Sequence, residues 1–140
     1  TIGDTARFPT RIRELVAACG PDFDVLSGDD ATAREAVAAG ARGVISVTAN
    51  VAPVAMARMI AAALRGDVAE AERIDASLAA LHQALFVEAN PIPVKWALAQ
   101  LGRIPAGIRL PLTELSAAQQ PLVRRALEAA QVRQATAGQA

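Results

Sequence analysis

Two short apolar runs, Phe23 to Ser27 and Gly43 to Thr48, are the β-rich stretches of this chain, and they limit its fold more than any other feature. The first is bounded by Pro21 and Gly28 and reads as a buried strand. Between the two, Asp30 is placed to cap a short helix over residues 31–39 that stops at Gly40. Before them, Ile12, Leu15, Val16 and Cys19 recur at helical spacing until Gly20-Pro21. After them, Pro53 suits a first helical position, and Met56, Met59, Ile60, Ala63 and Leu64 form an apolar stripe ahead of Gly66. Helix, strand, helix, strand, helix is the rhythm of parallel βα units, which makes the fold class α/β. Two strands neither close a barrel nor hide their own edges. The chain is therefore expected to assemble with itself or to pair with further sequence.

The second half carries no strand signal. Asp67 is placed to cap a long helix with Ile74, Leu78, Leu81 and Leu85 on one face. Asn90-Pro91-Ile92-Pro93 reads as a rigid lead-in to a helix that buries Val94, Ala97, Leu98 and Leu101, with Gly102 beyond its end. Residues 103–113 form a connector with Pro and Gly. Ser116 and Gln119 make a capping box, but Pro121 lacks a backbone donor in the second turn, which moves the start of the last helix toward Pro121. From about Gln134 the chain is expected to fray. No internal repeat is present.

Composition narrows the function classes. At 140 residues the chain suffices for one ordinary domain and is short for an α/β barrel of about 250 residues. Fourteen basic and fourteen acidic residues cancel, so no broad field recruits nucleic acid or an acidic membrane. Tyr is absent and aromatics are scarce, which argues against base-stacking surfaces. The single Cys19 excludes an internal disulfide, fits a reducing, cytoplasmic compartment, and is expected to be buried as a small hydrophobe. The uncharged run from Gly43 to Ala57 is too short to span a bilayer. No signal peptide is visible.

Three motifs are not explained by helix or strand formation: LSGDD at 26–30, GVISVTANVAP at 43–53 and FVEANPIPVKWAL at 86–98. Together they resemble the dihydrodipicolinate synthase family of pyruvate-dependent class I aldolases. LSGDD is similar to the end of the family's seventh barrel strand, and GVISVTANVAP to its eighth strand and the helix that follows. FVEANPIPVKWAL resembles the linker into the C-terminal helices, with Ala89 where a Pro is usual, and IRLPLTELS at 108–116 resembles the connector before the last helix.

The resemblance implies the C-terminal βα units of a TIM (β/α)8 barrel over residues 1–66, followed by a C-terminal helical domain over 67–140. It implies an enzyme that condenses pyruvate with aspartate semialdehyde through a lysine Schiff base, without metal or organic cofactor, commonly as a homotetramer. The opening TIGD resembles the stretch after the Schiff-base lysine, which would fall just before Thr1. The family's catalytic tyrosine and its substrate-carboxylate-binding threonine and arginine map to no position here. The chain is thus expected to be the C-terminal half of such an enzyme, with no catalytic residue of its own and no activity alone. REAVAAGARG at 34–43 opens with more polar residues than the family's usual helix.

Two residues are candidates for the pyruvate site. Ile45 matches a position that lines it, chiefly through its backbone. Gly28 matches the mouth of the barrel, where a side chain would obstruct pyruvate or the lysine; the alternative is a turn glycine. Asp29 reads as a turn acid, and Ser46 and Thr48 as strand hydroxyls inside the barrel. Lys95, the only lysine, falls in a helix beside Trp96, where its stem covers apolar surface, and not in a pocket that would lower its pKa. His82, the only histidine, has no acid or Cys at motif spacing and reads as an exposed or capping residue. Two rival readings are a related pyruvate aldolase, of the N-acetylneuraminate lyase or keto-deoxy sugar acid type, and a non-catalytic assembly module. Neither changes the fold expectation.

Overall fold

The computed structural model describes residues 8–132 of the 140. The opening TIGD and the stretch from Gln134 lie outside the described residues. In chain order the elements are α1 (Phe8–Cys19), β1 (Leu26–Ser27), α2 (Ala33–Ala38), β2 (Gly43–Val44), a 3₁₀ turn (Thr48–Asn50), α3 (Pro53–Leu64), α4 (Val68–Ala84), α5 (Ile92–Gln100) and α6 (Gln120–Ala129). They pack as two compact units. One contains the described residues up to Ser46 with Val54–Ala76, and the other contains Val47–Pro53 and the described residues from Ser77 on.

In the first unit β1 and β2 pair in parallel, Leu26 opposite Gly43 and Ser27 opposite Val44. The ladder extends through Arg42 N–H to the Val25 carbonyl and Ile45 N–H to the Ser27 carbonyl, each at 2.8 Å. Phe8, Ile12, Val25, Ala36, Ala39 and Ala41 form the core, with Leu15 and Val16 against it. Small residues on α2 let that helix sit close to the strands. Gly40 follows α2 with φ +110, a backbone conformation that favours glycine, while a Cβ there would make only an ordinary contact with a Val16 methyl at 3.4 Å. Arg34 of α2 reaches α4, with its Nε 3.0 Å from Asp75 Oδ2 and an NH group 3.5 Å from Glu72. Glu70 accepts from Arg73 and, at 2.9 Å, from Arg58. The Arg73 hydrogen bond, with the charges of both guanidiniums, holds the Glu70 carboxyl below its usual range.

The second unit is helical, and α4 belongs to both units, residues 68–76 to the first and 77–84 to the second. The α4 stripe Ile74, Leu78, Leu81 and Leu85 is buried as the periodicity predicts. Asp67 accepts from Glu70 N–H at 3.2 Å and so caps α4. α5 buries Val94, Ala97 and the following Leu101, and leaves Leu98 half-buried. Gly102 follows with φ +69. The last helix begins at Gln120 with Pro121 in its first turn, as the missing Pro donor predicts. Glu88 accepts from Ser116 N–H at 3.1 Å and ties the α5 lead-in to the start of this segment. Arg124 stands 5.7 Å over the Trp96 ring, a cation–π contact between α6 and α5.

Several expectations are corrected. The strands, expected over 23–27 and 43–48, form only over 26–27 and 43–44, and Phe23 and Leu26 are exposed. A single parallel pair leaves both outer edges without ladder partners among the described residues, and extended structure ends where the ladder does. Cys19 is exposed, not buried. Burial fades along α1 from Phe8 and Ile12 through half-buried Leu15 and Val16, so the helix has left the core by its last residue. The second helix starts at Ala33, with Thr32 in the cap position. Thr32 N–H donates to the Asp29 carboxylate, and Asp30, expected to cap this helix, is buried two residues before the cap position.

Candidate functional site

The carboxyl ends of β1 and β2 hold both residues expected at the pyruvate site. Gly28 directly follows Ser27, and Ile45 directly follows Val44, one step beyond the last register pair. Ile45 donates its N–H to Ser27, which leaves its carbonyl as the backbone group that can face a ligand. The residue is 73% exposed.

The turn after β1 is braced by side chains. The buried Ser27 hydroxyl donates to the Asp29 carbonyl at 3.1 Å and accepts from Asp29 N–H at 3.2 Å. The Asp29 carboxylate accepts from Thr32 N–H at 3.0 Å and from the Thr32 hydroxyl at 2.7 Å. Asp29 is therefore a turn acid, as its position predicts. Gly28 has no left-handed φ, and a Cβ built on it meets nothing within 4 Å. The turn-glycine explanation thus loses its basis, since neither backbone conformation nor packing among the described residues requires glycine at 28.

Thr48 is not a strand hydroxyl. The chain leaves extended geometry after Val44, with Val47 at φ −72 and ψ −44, and Thr48 opens the 3₁₀ turn. Asn50 closes that turn by donating its side-chain amide to the Val47 carbonyl at 3.0 Å. Arg103 donates to the Val51 carbonyl at 2.8 Å, just past the turn. Thr48 is fully buried, and its Oγ1 lies 2.8 Å from Nδ1 of His82, which is buried as well and not exposed as expected. The signal for this pair is in the spacing. His82 stands four residues after Leu78 and three before Leu85, which places it on the buried stripe of α4.

Lys95 lies half-buried on α5, in the second unit. Among the described residues no three His, Cys, Asp or Glu side chains gather as a metal site. No helix among them is long and apolar enough to cross a membrane.

The sequence model of the dihydrodipicolinate synthetase family matches residues 1–130. The 4-hydroxy-tetrahydrodipicolinate synthase of Alkalilimnicola ehrlichii is 62% identical over 120 residues, which make up 86% of this chain and 41% of that relative. Dihydrodipicolinate synthase from Aquifex aeolicus superposes with a TM-score of 0.86 at 43% identity, over 90% of this chain and 43% of that one. The chloride-inhibited enzyme from Acinetobacter baumannii, solved with pyruvate, gives 0.85 at 46% identity, over 91% and 44%. The chain spans about two fifths of the length of these relatives. Its α/β class, its motifs and its match over nearly the whole sequence agree, and the chain belongs to the dihydrodipicolinate synthetase family.

Proposed function

We propose that this chain is the C-terminal portion of a 4-hydroxy-tetrahydrodipicolinate synthase of lysine and diaminopimelate biosynthesis, which joins pyruvate to aspartate semialdehyde. The observation that carries this reading is the register of Gly28 and Ile45 at the carboxyl ends of two paired parallel strands. Active sites in (β/α)8 barrels are built at that face. The pyruvate bound in the Acinetobacter relative supports the same substrate here.

In this proposal residues 1–66 supply the last βα units of the barrel and 67–140 a helical domain outside it. Gly28 keeps the strand end open to pyruvate, and the Ile45 carbonyl borders it. The nucleophile is a lysine of the remaining part of the enzyme. Its amine adds to the pyruvate ketone, water leaves, and the iminium draws electrons from the methyl carbon. That carbon loses a proton and bonds to the aldehyde carbon of aspartate semialdehyde. The substrate's own amine then displaces the lysine and closes the ring. Lys95 takes no part, and the chain alone does not turn over. A cytoplasmic homotetramer without a cofactor belongs to the same proposal.

Treatment with pyruvate and borohydride, read by intact mass, tests it. We expect no adduct on Lys95 of the 140-residue chain, and one adduct per subunit on a lysine outside this sequence in the complete enzyme. An adduct mapped to Lys95 would overturn the site assignment. Faster turnover of the complete enzyme with a sugar-derived aldehyde than with aspartate semialdehyde would overturn the acceptor.

A further inference from the structure

We propose that the cleft between α5 and the segment 106–115 of the second unit is a binding site for a small zwitterion, a molecule with one ammonium and one carboxylate group. The cleft has a volume of about 100 Å³, and its lining includes Lys95, Trp96, Gln100, Ile108, Thr113 and Glu114. An apolar wall with a few polar groups converging on it is the usual make-up of a small-molecule site.

The charges select the ligand. Lys95, a basic residue, and Glu114, an acidic one, both border the cleft. Neither has an ion-pair partner within 4.0 Å among the described residues, so their charged ends stand too far apart to satisfy each other. A zwitterion bridges that gap, its carboxylate toward Lys95 and its ammonium toward Glu114. A ligand with a single charge leaves the opposite protein charge uncompensated, which discriminates against simple acids and simple amines.

The rest of the lining is held in place by other contacts. Arg124 stacks over Trp96 and donates to the Gln100 side-chain carbonyl at 3.4 Å. The ring and the amide are thereby fixed without using Lys95 or Glu114, an arrangement that lowers the ordering cost of binding. Size sets the upper limit. A cavity of ~150 Å³ accepts the six heavy atoms of benzene, so this cleft encloses about four, and its open mouth leaves the rest of a slightly larger ligand in solvent.

Trp96 is the only tryptophan and tyrosine is absent, so the intrinsic emission of the chain reports directly on this cleft. Titration of the 140-residue chain with L-alanine is expected to give a saturable change in Trp96 emission, with a dissociation constant of about a millimolar. Propionate and ethylamine at matched ionic strength are expected to give none. Lys95→Met and Glu114→Gln should each weaken L-alanine binding at least tenfold, with unchanged far-UV circular dichroism, and Lys95→Arg should recover part of the loss. In the unsubstituted chain the amide resonances of Gly107 and Thr113 should move over the same concentration range. Absence of saturation with L-alanine, an equal response to propionate or ethylamine, or undiminished affinity in both charge variants would overturn the proposal.

Discussion

The Thr48 hydroxyl and the His82 imidazole form a buried hydrogen bond of 2.8 Å across 34 residues of sequence, joining the 3₁₀ turn to α4. Removing one partner from such a pair leaves a desolvated polar atom with less than its full bonding, which costs about 1–3 kcal/mol. Thr48→Val keeps the shape and deletes the hydroxyl. It should lower the unfolding free energy by that amount, read as a lower urea midpoint, and His82→Leu combined with it should recover part of the loss. Equal stability of Thr48→Val and the unsubstituted chain would show that this bond contributes nothing net.

Gly40 combines a left-handed φ with the approach of Val16. Gly40→Ala puts a Cβ on that backbone conformation, with Val16 at no more than contact distance, and we expect a loss of about 1–3 kcal/mol in chemical denaturation. The same change at Gly28 meets neither constraint. Gly28→Ala should leave stability within about 1 kcal/mol, with a slight gain from the stiffer unfolded chain. In the complete enzyme it should raise the KM for pyruvate several-fold. A normal pyruvate KM would remove Gly28 from the proposed site.

Glu70 gives stability a pH dependence with a defined sign. Its carboxyl is held below the usual range chiefly by the Arg73 hydrogen bond, so the ionised form is favoured in the folded state. The stabilisation is fully present above the unfolded-state value and is lost as pH falls through the lower folded-state value. Glu70→Gln should flatten the fall in melting temperature as pH drops below the ordinary glutamate range. A parallel fall in both proteins would assign the acid sensitivity to other carboxylates.

Leu78 and Leu81 are fully buried on α4. Leu81→Ala should destabilise the chain by about 2–5 kcal/mol through lost apolar transfer and the cavity left behind. Phe86, which follows them and is 48% exposed, should tolerate Phe86→Ser with a much smaller change. Urea midpoints of the two variants make the comparison.

Local rules carried much of the fold. Helical spacing marked the stripe from Ile74 to Leu85, the lack of a Pro121 donor set the start of α6, and Asp67 capped α4, because each depends on neighbours within one or two turns. The family motifs likewise made the family legible, since they are read from contiguous residues. Strand length was not legible, because extended structure lasts only as far as a partner strand continues the ladder, and the β1–β2 pair supplies two residues on each side.

Burial of single residues was decided by tertiary packing. Cys19 shares a helical face with Ile12 yet is exposed, because burial on α1 fades toward its end. His82 lies on the α4 stripe and is buried because Thr48, far away in sequence, supplies a polar partner. Sequence by itself determined the family, the helices and the order in which helix and strand alternate, all set by short-range chemistry. Only the tertiary structure decided where the strands stop, which polar groups are taken out of water, and that nothing within the described residues calls for glycine at 28.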